Sequence, residues 1–182
     1  MRLMKLLAIL PGMAMLTWAA GSPGQRPAGR GLERLFAAAQ QEARGQGRLA
    51  IIVNRSNPID NLSSIQLRKI FLAEQVHWPN GRKITVVMRE PGEPEREAVL
   101  RVIYHMNEND FSRYFLHGTY TGEMQSVPKT LATAGGMRKF VFNVPGAIGY
   151  VRANEVDESV KLVRVDGLAP VEQGYKLVLP AR

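Results

Sequence analysis

The sequence predicts an α/β domain: a sheet covered by helices on both faces. Three observations carry this. Strand-length segments at Leu49–Val53, Ile84–Met88, Ala147–Val151 and Val160–Val165 alternate with stretches whose apolar residues recur at helical spacing. Turn-forming residues such as Trp78-Pro79-Asn80-Gly81 and Pro145-Gly146 punctuate them. The length of 182 residues, with 45% hydrophobic and 22% charged, suits one domain with an appendage and argues against wholesale disorder.

The elements follow in order. Arg2 and Lys5 precede an uncharged, mostly apolar stretch, Leu6–Ala20, which exits through Ala19, Ala20, Gly21 and Ser22. That is the pattern of a secretory signal peptide, cut after Ala19 or Gly21. The alternative is an uncleaved anchor, but the stretch falls short of the ~20 apolar residues of a spanning helix and Pro11-Gly12 interrupts it. The expected division is a signal peptide over 1–21, a linker and short helix over 22–48, and the α/β domain over 49–182. Residues 21–31 are rich in Gly and Pro and form a linker. Leu32, Leu35, Phe36 and Ala39 predict an amphipathic helix over 32–44, ended by Gly45-Gln46-Gly47.

Within the domain, Leu49–Val53 reads as a buried strand. Asn61 or Ser63 caps a helix to about Ala73, with Leu67, Ile70 and Phe71 facing the core. After the Trp78 turn comes the strand Ile84–Met88. A helix after Pro94 carries Ala98, Val99, Val102, Ile103 and Met106 on one face, and Asn109–Leu116 a second with Phe111, Tyr114 and Phe115. Lys129–Phe142 reads as helical despite Gly135-Gly136. Ala147–Val151 and Val160–Val165 close the sheet.

Composition excludes much of catalysis. The chain has no cysteine, so disulfides, thiol nucleophiles, Cys-ligated metals and a lipid anchor on cysteine are ruled out. His77, His105 and His117 lie on separate segments without metal-ligand spacing and read as surface groups. No nucleophile elbow or phosphate-cradling glycine motif follows a strand. Ser63-Ser64 is explained by capping, and Gly135-Gly136 before Arg138-Lys139 reads as a weak spot in a helix rather than an anion cradle. No catalytic residue, metal ligand or cofactor is expected. Without Arg2 and Lys5, the 24 basic residues become 22 against 16 acidic ones, a formal +6. The pI of about 10.1 would suit nucleic acid, but for an exported chain basic charge more often serves solubility, anionic surfaces or anionic ligands, and charge alone does not decide between them.

The segment 51–81, then Ile84–Leu100, then Asn143–Val151 and Val163–Pro170 resembles the phosphate-binding proteins of ABC transporters, in the periplasmic-binding-protein-like superfamily. Three pieces carry the resemblance: Asn57-Pro58 with Leu62-Ser63 and the Ile70-Phe71 helix end, Trp78 before Asn80-Gly81, and Pro145–Val151, the most specific. It implies a single lobe of the type II periplasmic-binding-protein-like fold, a mixed sheet flanked by helices. The matched segments belong to the second lobe, its crossovers and part of the return into the first, so one lobe standing alone is the expectation.

In that family an arginine at a strand end leads through Ser-Gly-Thr to a helix opening with another arginine, and this stretch grips phosphate. Arg89 and Arg96 match the two arginines; Glu93, Pro94 and Glu95 replace Ser-Gly-Thr. A helix start offers orphan N–H groups and a positive dipole end, but Pro94 removes one N–H and the glutamates satisfy the dipole from within. Each carboxylate about 5 Å from a bound unit charge costs roughly 3 kcal/mol at an effective dielectric near 20. Phosphate or another oxyanion would therefore bind weakly, at Arg89 and Arg96 with Tyr150 where a cleft could open. The simpler alternative is that the two arginines neutralise Glu90, Glu93, Glu95 and Glu97 locally. Four glutamates in this stretch lack calcium-loop spacing and read as a solvated helix start rather than a cation site.

The expected function is that of an exported, periplasmic or secreted, non-enzymatic binding module with its phosphate grip altered. No nucleic-acid partner is expected, and no membrane anchor after signal cleavage. The alternative is an assembly module whose exposed lobe face packs on a second copy or an envelope protein, with the apolar stretch Leu32–Phe36 as docking element.

Overall fold

The computed structural model of the chain describes residues 47–124 and 126–179. The signal-like N-terminus, the linker and the amphipathic stretch 32–44 lie outside the described residues. Six strands form one mixed sheet in the order β2-β6-β1-β5-β3-β4. They are β1 (Leu49–Val53), β2 (Asn61–Leu62), β3 (Thr85–Arg89), β4 (Lys129–Leu131), β5 (Ala147–Arg152) and β6 (Lys161–Val165). β1 lies between β5 and β6, antiparallel to both. β3 runs parallel to β5 and β4, and β2 parallel to β6.

Helices cover both faces, so all five residues of β1 are buried; the continuous apolar run has this as its cause. Register then sorts side chains by alternation. Ile51, opposite Tyr150 and Val163, joins the larger core under α1 (Ser64–Phe71), α2 (Pro94–Val99) and α3 (Glu108–Tyr120). Ile52, opposite Gly149 and Leu162, faces α4 (Ala134–Asn143) with Met137 and Val141. A Cβ on Gly149 would sit 3.0 Å from the Met137 sulfur, so this glycine sets how closely α4 approaches the sheet.

Ser63 caps α1, its hydroxyl accepting from the Gln66 N–H while the Gln66 side chain returns to the Ser63 N–H. Asn61 instead belongs to β2, where its side chain accepts from the Gly167 N–H. The helix from Pro94 continues beyond α2 as a π-helical turn, Leu100–Tyr104, which ends at His105 in the left-handed region, φ 55°. The wider turn brings Leu100, Ile103 and Tyr104 inward together. Tyr104 packs edge-on against Phe71, Phe111 and Phe115.

One expected helix is corrected. Lys129–Phe142 is not continuous: Lys129–Leu131 forms the edge strand β4, and α4 begins only at Ala134. Thr133 resets the chain, its hydroxyl accepting from the Gly136 N–H at 3.0 Å. The two glycines therefore sit in the first helical turn, where their low propensity matters least. The other boundaries move by a few residues: β3 reaches Arg89, and α3 runs on to Tyr120.

Candidate functional site

The end of β3 and the start of α2 make the site. At Gly92, φ 89° turns the chain after Glu90-Pro91, a conformation glycine adopts freely. Glu93 then occupies the N-cap and Pro94 the first helical position, where a missing N–H costs nothing. Glu93 makes no side-chain cap bond. Its carboxylate goes to Arg89, with Nη2 to Oε2 at 3.0 Å.

Arg89 is nearly buried, its side chain 11% exposed. It also donates to the Ala132 carbonyl from Nη1. Its Nε is buried without a partner. Its backbone N–H donates to the Tyr150 hydroxyl at 3.0 Å. Tyr150 is fully buried on β5, and burial raises its phenol well above the ordinary value, partly offset by the Arg89 hydrogen bond and the charges of Arg96 and Arg89. Tyr150 thus meets the site from behind, as a strut under Arg89.

Arg96 turns inward from α2. Its Nε and Nη2 donate to the two carboxylate oxygens of Glu108 at 2.8 and 2.6 Å, and Nη1 donates to the Arg89 carbonyl at 2.9 Å. Its guanidinium lies 4.8 Å from the Phe111 ring centroid. Glu95 is 7% exposed. One of its oxygens accepts from Arg152 Nε at 2.5 Å, and the other is buried without a partner. Burial pushes the Glu95 carboxyl up, but the hydrogen bonds from Arg152 and its own N–H, with the charges of Arg152 and Arg89, outweigh this and hold it below the ordinary range.

The structure therefore brings Arg89, Glu93, Pro94, Glu95, Arg96 and Tyr150 together. Only the Arg89–Glu93 pair is local. Glu108 and Arg152 complete the cluster from α3 and β5, 12 and 57 residues away from their partners. Sequence reading missed both, since no spacing rule joins residues that far apart. Three guanidiniums face three carboxylates. A groove of about 750 Å³ adjoins the turn at Gly92, but it is lined by Glu97, Glu108 and Asp110 with Arg101 and His105, not by Arg89, Arg96 or Tyr150.

The remaining candidates are apart. Arg138, after Gly135-Gly136, pairs with Asp157 at 3.2 Å. His77, His105 and His117 are exposed on separate segments, and no group of metal-ligating side chains forms among the described residues. Nor is any described helix long and apolar enough to cross a membrane. Trp78 and Pro145-Gly146 meet directly: Trp78 Nε1 donates to the Gly146 carbonyl at 3.0 Å.

No family model matches the sequence. Among solved structures, the chain is similar to an ABC-type phosphate transport receptor from Vibrio cholerae, at 22% identity and TM-score 0.56 over 68% of this chain and 49% of that one. A protein described as a phosphate ABC transporter substrate-binding protein, from Clostridium perfringens and with bound phosphate, is similar at 25% identity and TM-score 0.56, covering 68% and 47%. The chain spans about half the length of these structures. Over that half it has their fold, a mixed sheet flanked by helices that is consistent with one lobe of the periplasmic-binding-protein-like α/β architecture.

Proposed function

We propose that the chain is an exported, non-enzymatic module of the solute-binding-protein kind, whose anion-gripping turn is occupied by its own carboxylates, so that high-affinity phosphate capture is lost. The carrying observation is charge balance: Arg89, Arg96 and Arg152 each hold a glutamate at 2.5–3.0 Å. An oxyanion at Arg89 and Arg96 has to displace Glu93 or Glu108, and meets Glu95 nearby. Each carboxylate about 5 Å away opposes it by roughly 3 kcal/mol at an effective dielectric near 20. Similarity to receptors of phosphate transport supports phosphate or a related oxyanion as the ligand class. The basic, apolar, small-residue order of residues 1–22 supports export to the periplasm or medium.

Isothermal titration of the chain with inorganic phosphate tests this. No binding at micromolar concentration is expected. A micromolar or tighter constant, about −8 kcal/mol, would overturn the reading. Replacing Glu93, Pro94 and Glu95 by Ser, Gly and Thr is expected to strengthen phosphate binding.

A second reading, an assembly module, is favoured by Leu116 and Tyr120, one turn apart on α3 and 72% and 92% exposed. It expects association with a second copy or an envelope protein. Sedimentation velocity and capture from envelope extract, each repeated with Leu116→Glu/Tyr120→Glu, separate this reading from the first.

A further inference from the structure

A groove of about 410 Å³ lies between α1, the π-helical turn and the C-terminal segment. Leu67, Ile103 and Leu177 form its apolar wall, and Arg101, His105 and Lys176 stand exposed at its rim. Val102 and Val165 complete its apolar lining. We infer that this groove is the docking site of the chain's own segment 32–44, with Leu32, Leu35, Phe36 and Ala39 seated in it.

Three observations point to this occupant. The first is tethering. Leu49 N–H donates to the Leu177 carbonyl and Leu179 N–H to the Gly47 carbonyl, both at 2.9 Å. The described chain therefore starts alongside the strip that walls the groove. Gly45, Gln46 and Gly47 can span about 10 Å at roughly 3.3–3.6 Å per residue, and the two glycines let the chain fold back. The second is shape. At helical spacing, Leu32, Leu35, Phe36, Ala39 and Ala43 make one apolar stripe, which needs an apolar surface to cover it.

The third is charge. Glu33 and Glu42 flank that stripe on its two sides, with Arg44 beside Glu33, while Arg34 and Gln41 fall opposite. At the groove, Arg101 and Lys176 pair with no carboxylate among the described residues. Asp166, near Lys176, is held by the Ser64 N–H and hydroxyl. The groove at Leu72, Tyr114 and Met124 is larger, about 630 Å³, but with Arg113 paired to Asp110 its lining keeps Glu74 and Glu123 as a net acidic rim that opposes Glu33 and Glu42.

The absence of cysteine makes the test clean. In the full chain, Phe36→Cys/Val102→Cys is expected to close an intramolecular disulfide at least about ten-fold faster than Arg34→Cys/Val102→Cys, because only the first pair shares the groove at high effective concentration. Equal rates, or a disulfide joining two molecules, would overturn the inference. Hydrogen exchange checks it without cysteines: amides 33–44 are expected to exchange at least about ten-fold more slowly in the unaltered chain than in Leu35→Glu/Phe36→Glu. Rates unchanged by those substitutions would equally refute it.

Discussion

Glu95 is the residue on which the chemistry of the site turns. It is buried and charged, a combination that survives only with a partner, and Arg152 supplies one. Its folded-state value lies below the ordinary 4.5, so the unfolded chain binds the proton more readily. The stability it contributes is therefore complete above about pH 4.5 and is lost as the pH falls through the lower folded value. Denaturant midpoints measured from pH 6 down to about pH 3 are expected to drop less steeply in Glu95→Gln than in the parent chain. An equal drop would mean that other carboxylates carry the acid response. Arg96 makes a companion case. Glu108→Ala leaves a buried guanidinium on one carbonyl and the Phe111 ring, and a loss of about 1–3 kcal/mol is expected in equilibrium unfolding.

Among the elements, the Trp78 turn and the start of β5 depend on each other. A Cβ on Gly146 would lie 2.0 Å from the Lys83 carbonyl oxygen, an approach no side chain can make. The Gly146 carbonyl also accepts from Trp78 Nε1 and the Thr85 N–H. Gly146→Ala therefore has to push β5 away from the chain entering β3, and a loss of at least ~1–3 kcal/mol is expected by thermal or denaturant unfolding. Trp78→Phe removes one buried donor while keeping an aromatic ring, at an expected cost of about 1 kcal/mol. The same pairing makes the Trp78 turn and Pro145-Gly146 one structural unit, since so close a backbone approach admits few residues. Helix starts were half legible. Ser63 with Gln66 three residues on is a capping box, whereas Thr133 was hidden inside what read as a longer helix. β4 was missed because Lys129 and Thr130 are exposed at the sheet edge and carry no apolar pattern.

For the whole molecule, the sheet holds two cores apart, and the cluster at Arg89 sits where β3 leaves the larger one. If Glu93 and Glu95 are what bars an oxyanion, the Ser-Gly-Thr replacement should gain phosphate affinity while its fold, followed by circular dichroism, stays the same. A gain without a change of fold would place the barrier in that turn; no gain would place it in the wider geometry of the half-length chain. The amino-acid order alone settled the fold class and the buried faces of most elements, because burial leaves its mark in periodicity along a few neighbouring residues. Which carboxylate each arginine holds, where Tyr150 points and how Arg152 reaches Glu95 were decided only when β5 was laid beside β3 and α3 against α2. An ion pair depends on a few ångströms between elements distant in the chain, and packing fixes that separation.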